Sequence, residues 1–129
     1  MTELTADEIA AVLDLKPHPD GGRYRETFRD ETAVTAFRLF AAGEQLAWSA
    51  LIDTVEVWQF YDGAPLRLHM AAVEGGAIAS EHLSRAGADA RSQVGVPSGW
   101  WRSAESAGAW TLVGVTAAPR FELPERLAP

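Results

Sequence analysis

The sequence predicts an all-β fold, a barrel or sandwich of short strands fronted by one helix. Three observations predict it. Segments of six to ten residues rich in Val, Phe, Trp, Tyr, Thr and Leu follow one another from residue 22 to residue 117. Glycines at positions 43, 63, 75, 76, 87, 95, 99 and 108 fall at their joins. No second helical pattern exists to build the crossovers of a parallel sheet.

The elements follow in chain order. Thr5 is placed to cap a helix, Glu8 to close a capping box, and Leu4 with Ile9 to staple it. Ile9, Val12 and Leu13 form one apolar stripe, and the helix must end before Pro17. Residues 1–16 are therefore read as a helical brace and 22–117 as the barrel. Strands are expected at 22–29, 33–40, 45–52, 55–61, 65–73, 77–84, 91–97, 100–105 and 109–117. The tail, 118–129, holds three prolines in "APRFELPERLAP" and is expected as a loop or edge strand over the barrel.

A chain of 129 residues suits a single domain, 1–129, able to bury about two-thirds of its unfolded surface. Composition is ordinary for a globular protein, 47% hydrophobic and 22% charged. A net charge of −7 opposes binding to nucleic acid or to anionic membrane surfaces. No apolar run is long enough to span a bilayer. The N-terminus lacks a basic region followed by an apolar core, so a cytoplasmic protein is expected. Ten of the eleven basic residues are Arg, and Ala is abundant, a usage typical of bacterial genomes rich in GC. With no cysteine, the chain has no disulfides, thiol nucleophiles or cysteine-ligated metals.

His18 lies between prolines in a turn, His69 on a strand between Leu68 and Met70, and His82 in a polar edge region. Their spacing matches no metal motif, and His69 is the best placed of the three for acid–base work. Neither "GG" pair precedes a helix, which excludes a phosphate loop, and no G-x-S-x-G elbow is present. In "GGRYRETFRD", simple alternation puts Arg23, Arg25, Thr27 and Arg29 on one face and Tyr24, Glu26 and Phe28 on the other. The arginines suit an edge strand or a dimer contact; Tyr24 and Glu26 are candidates for the interior.

Two stretches carry a resemblance. Counting from Gly43, five residues lead to Ser49-Ala50-Leu51, four more to Glu56 and six more to Gly63. That frame resembles the first motif of the cupins, with Ser49 and Leu51 where two histidines usually stand. In "VPSGWWR", Pro97 and Gly99 resemble the second motif, with Arg102 in place of its histidine. The runs "LKPHPDGGRYRETFRD", "VEVWQFYDGAPLRL", "VPSGWWRSAE" and "WTLVGVTAAPRFEL" are similar, in that order, to the cupin-5 family of small proteins. The chain departs from that family at Trp48-Ser49-Ala50, where Trp-His-Arg is usual, and at Ser92-Gln93, where Pro-Gln is. The resemblance implies a cupin-type jelly-roll β-barrel, a homodimer, and a ligand-sized cavity likened to that of nucleotide-sugar epimerases.

If the motif places Glu56 inside, alternation brings Trp58 and Phe60 in beside it. An inward Arg102 likewise brings Trp100 and Ala104, with Ser49 and Leu51 facing them and Trp101 and Ser103 turned away. The expected cavity has aromatic walls of Trp58, Phe60 and Trp100, and Arg102 paired with Glu56 where a metal would otherwise sit. Aromatic residues in a barrel more often form core, and buried ion pairs are often structural. Three functions remain open. The first is a metal-free and cofactor-free enzyme moving protons on a small organic molecule, as an isomerase, epimerase or cyclase does. Its catalytic group would be Glu56, Arg102, Tyr24 and Glu26, its substrate contacts Ser49, Leu51, Trp58, Phe60, Trp100 and His69, and Arg102 would hold a carboxylate, phosphate or enolate oxygen. The second is a non-catalytic metabolite binder using the same cavity. The third, a metal-dependent oxygenase or isomerase, lacks three of its usual ligands.

Overall fold

The computed structural model describes residues 4–87, 90–122 and 126–128. Helix α1 (Ala6–Leu13) starts on the expected capping box, in which the Glu8 N–H donates to Thr5 and the Thr5 N–H to Glu8. It stops where Asp14 enters the left-handed region (φ 55°) and its N–H turns back to the carbonyls of Ala10 and Ala11. Eleven strands follow among the described residues: β1 (Lys16–Pro17), β2 (Arg23–Arg29), β3 (Val34–Ala41), β4 (Gln45–Leu51), β5 (Val55–Gly63), β6 (Leu66–Ala71), β7 (Ile78–Leu83), β8 (Gln93–Val96), β9 (Trp101–Ser106), β10 (Trp110–Ala118) and β11 (Arg126–Leu127). The nine expected strands are β2 to β10, each end within two residues of its expected position. The tail supplies β11, an edge strand on β4; the part of the tail at 123–125 and 129, like residues 1–3, lies outside the described residues.

Two antiparallel sheets face each other, ordered β1-β2-β3-β10-β5-β8 and β11-β4-β9-β6-β7. Their inner faces enclose Phe40, Leu46, Trp58, Leu66, Leu68, Leu83 and Val113, each fully buried. Each such side chain contributes about 1.5–3 kcal/mol by leaving water, so this interior, rather than any polar contact, closes the sheets on each other. The outer face of the first sheet is covered too. Ile9, Ala10 and Leu15 pack on Leu39, Trp110 and Leu112, and the Trp110 indole N–H donates to the Leu4 carbonyl at 2.9 Å. An Asp7–Arg23 ion pair at 2.6 Å ties helix to β2. Among the described residues, no helix is long and apolar enough to cross a membrane.

The turn between β1 and β2 requires its glycines. Gly21 has φ +117°, and a Cβ there would lie 1.9 Å from the Gln45 carbonyl oxygen. Gly22 has φ +72° and would drive a Cβ into the Phe40 ring. This close approach folds His18 and Asp20 down onto the open end of the barrel, where the Asp20 carbonyl accepts from the Ala47 N–H at 2.8 Å.

Candidate functional site

The polar pocket opens on the inner face of the first sheet. Antiparallel register places Tyr24 beside Arg38, Glu26 beside Ala36, Ala36 beside Val115 and Ala117 beside Glu56 across β2, β3, β10 and β5. The small side chains Ala36 and Ala117 leave the space; larger neighbours and the turn from His18 to Asp20 wall it. The cavity measures about 60 Å³.

Its floor is an ion pair that joins the two sheets. Glu56 comes from β5 and Arg102 from β9, with 3% and 4% of their surfaces exposed. Arg102 Nε donates to Glu56 Oε1 at 2.6 Å and Nη2 to Oε2 at 3.1 Å, while Nη1 donates to Ser49, its register partner on β4. The Trp58 indole N–H adds a donor to Oε1 at 3.2 Å. Burial pushes the Glu56 pKa upward, but the charge and hydrogen bonds of Arg102 outweigh it and hold the carboxyl below its ordinary value. Both carboxylate oxygens are thus engaged.

A second buried guanidinium lies above this floor. Arg38, 6% exposed, donates from Nη2 to the Gly21 carbonyl at 3.1 Å and stacks on Phe40. Its Nε is buried without a hydrogen-bond partner among the described residues. Burial, then the nearby charge of Arg102, pushes Arg38 down to about 10. His18 receives the Asp20 N–H on Nδ1 at 2.9 Å, which leaves the proton of the neutral ring on Nε2. The ring stands edge-on to Tyr24, centroids 4.6 Å apart. Burial, then the charge of Arg38, lowers His18 from 6.5 to about 3, so it is neutral at physiological pH.

The rim charges are paired. Asp20 binds Arg126 at 2.5 and 2.8 Å, and that partner holds its carboxyl low against the opposing effect of burial. Glu26 takes two hydrogen bonds from Arg29, at 2.7 and 3.0 Å, and these lower its pKa.

The structure brings Glu56, Arg102, Tyr24 and Glu26 to the lining of one pocket, while Ser49 is hydrogen-bonded to Arg102 without lining it. It corrects the rest. Trp58, Phe60 and Trp100 do not wall the pocket; they pack into the apolar core below it, because Leu66, Leu68 and Leu83 fill the space their rings face. Leu51 is buried but does not line the pocket. His69 stands on the outer face of β6, hydrogen-bonded to Ser80 at 2.7 Å and Glu105 at 3.2 Å, because Leu66, Leu68 and Met70 take the inner positions. Arg29 joins the pocket, not the outer face, because a register shift between Glu26 and Phe28 reverses the alternation and leaves Phe28 54% exposed. Trp101 and Ser103 do turn away from the cavity, yet both are buried, Trp101 against Ala50, Ala71 and Trp48. Sequence reasoning missed Arg38, Asp20 and Arg126, and left His18 as a turn residue; the double glycine after "HPD" was the one available signal for His18 and Asp20.

A metal ion, which many cupins hold at this place, does not fit the donors present. Ser49, Leu51 and Arg102 occupy three of the ligand positions, and the remaining carboxylate is spent on a guanidinium. Among the described residues, no three His, Cys, Asp or Glu side chains lie close enough to bind one.

Comparison with known proteins agrees with the fold. Protein SO0799 from Shewanella oneidensis superposes with a TM-score of 0.89 at 26% identity, covering 98% of this chain and 85% of that one. A hypothetical protein from Leishmania major gives 0.82 at 21% identity, covering 96% and 86%. The capsular polysaccharide assembling protein CapF from Staphylococcus aureus gives 0.72 at 13% identity, covering 88% of this chain but 33% of that one, a likeness of fold alone. No curated protein matches the chain. The family model described as "Cupin superfamily (DUF985)" matches residues 7–126, and the chain therefore belongs to the cupin-5 family of the cupin superfamily.

Proposed function

We propose that this cupin acts on a small organic molecule without a metal ion, by proton transfer of the isomerase, epimerase or cyclase kind. The observation that carries the reading is the placement of a phenol and a carboxylate on one strand face of the pocket: Tyr24 and Glu26 both line it, beside a neutral imidazole. Glu26 is the base and Tyr24 the acid. The Glu26 carboxylate has 41% of its side chain exposed at the mouth and keeps lone pairs beyond the two that Arg29 occupies. Glu56 is not the base, since it is buried at the floor, its side chain 4% exposed, with Arg102 and Trp58 on its oxygens. It and Arg102 position the floor.

The test is proton NMR in heavy water with a panel of carbonyl-bearing metabolites. The expected result is exchange at a carbon next to the carbonyl, lowered about 100-fold or more by Glu26→Gln and by Tyr24→Phe. Chelators are expected to leave it unchanged, and metal analysis of the purified protein to find no stoichiometric iron, nickel, zinc or manganese. A metabolite that binds in the pocket with no exchange favours the second reading, a non-catalytic metabolite binder. The bidentate arginine on each of Glu26 and Glu56 supports that alternative. The reading includes a homodimer, checked by light scattering.

A further inference from the structure

Resting on the small-molecule reading above, we propose that the pocket's ligand is an organic carboxylate, seated with its charged end against Arg38. Among the described residues, two guanidinium groups, those of Arg38 and Arg102, are buried here with a single buried carboxylate, that of Glu56. Arg102 and Glu56 neutralise each other through two hydrogen bonds. The outer cations Arg29 and Arg126 face Glu26 and Asp20. Among the described residues, one positive charge, on Arg38, is left without an acid in contact. A buried cation without a counter-ion is costly, and so is its unused Nε–H donor. An anion in the cavity, which Arg38 lines, supplies the missing counter-ion.

The amount of charge selects the anion. One unbalanced positive charge matches a carboxylate, whereas a phosphate monoester brings about −1.5 to −2 at neutral pH. Geometry agrees. Tyr24 and Arg38 are register partners on β2 and β3, so phenol and guanidinium stand side by side on the inner face. A planar carboxylate lies across such a pair, one oxygen to each donor. A cavity of about 60 Å³ has room for about four to six water-sized groups at 10–15 Å³ each. That is a carboxylate with the first one or two carbons; the remainder of the molecule leads out past Glu26 toward the solvent. Neutral His18, with its proton on Nε2, adds no competing positive charge.

The experiment titrates full-length protein with acetate, pyruvate and benzoate, with acetamide and benzamide as neutral counterparts, and with inorganic phosphate. The Arg38 Nε–H signal in the nitrogen–proton NMR spectrum is followed, together with Tm. At least one carboxylate is expected to move that signal and raise Tm, while its amide and phosphate do neither. Arg38→Met is expected to weaken carboxylate binding about 10- to 100-fold and to raise the Tm of the free protein, because an unpaired buried charge has gone. A merely structural Arg38 would lower it. Should that variant not fold, the contrast of acid and amide on the natural protein decides. Amides binding as tightly as acids, phosphate binding more tightly than either, no movement of the Arg38 signal with any carboxylate at tens of millimolar, or undiminished binding by Arg38→Met would each overturn the proposal. Carboxylate binding without proton exchange defeats the catalytic reading and leaves this one standing; exchange on a neutral ligand does the reverse.

Discussion

His18 is a proton-sensitive residue in a place that refuses the proton. In the unfolded chain it takes one up near 6.5, but in the fold burial and the charge of Arg38 delay this to about 3. Between those values the unfolded state binds more protons than the native one, so stability falls as pH drops from 6.5 toward 3. Urea titrations across that interval are expected to show the loss, and His18→Gln to flatten it. Glu56 and Asp20 act in the same direction at lower pH. Their folded pKa values are depressed, so their contribution is complete above the ordinary carboxyl range and disappears as acid protonates them in the native state. An acid-unfolding curve that His18→Gln leaves unaltered would remove the part assigned to the imidazole.

At the scale of elements, β2 and the turn before it determine what the pocket contains. The glycine pair at 21–22 lets the turn pass against Gln45 and Leu39 with almost no clearance. Gly21→Ala is expected to cost about 3 kcal/mol or more, from positive φ together with a backbone clash, measured as a lower urea midpoint at unchanged slope. The register shift in β2 has the opposite character: it leaves Thr27 without a ladder partner and brings Arg29 to Glu26 on the cavity side. On β3 and β10, Ala36 and Ala117 make the void. Ala36→Leu is expected to fill it and abolish ligand binding, with Tm changed by only a few degrees. Calorimetry that still detects binding in this variant would move the site elsewhere.

At one end of the molecule a charge pair crosses between the sheets. Removing one partner strands the other in the interior, so Glu56→Gln is expected to lower stability by about 3–5 kcal/mol. The double variant Glu56→Gln with Arg102→Met is expected to recover most of that, since nothing buried is then left ionised and unpaired. Equal destabilisation by single and double variants in guanidinium unfolding would mean that the pair itself, not the stranded charge, supplies the energy. A pair expected to add little to stability, yet placed under a polar cavity, fits a role in positioning the pocket floor.

How much was legible follows from the same physics. Strand limits could be read because glycine and aspartate mark each turn locally, and the Glu56–Arg102 floor because its spacing fits a known frame. Arg38 could not be read. The strand "VTAFRLFA" is apolar on both faces, since α1 covers the outer one, so a period of two does not reveal which face is the interior. Trp58 and Phe60 share the inner face with Glu56, as alternation requires, but alternation does not tell an empty interior from a filled one. The partner of Asp20 lies 106 residues away in the tail. The sequence by itself determined the β class, the helix cap and the order of strands, because these depend on neighbours in the chain. Only the tertiary structure decided which inward side chains meet a void and which buried charge lacks a counter-ion, because volume and charge balance are properties of groups that folding alone brings together.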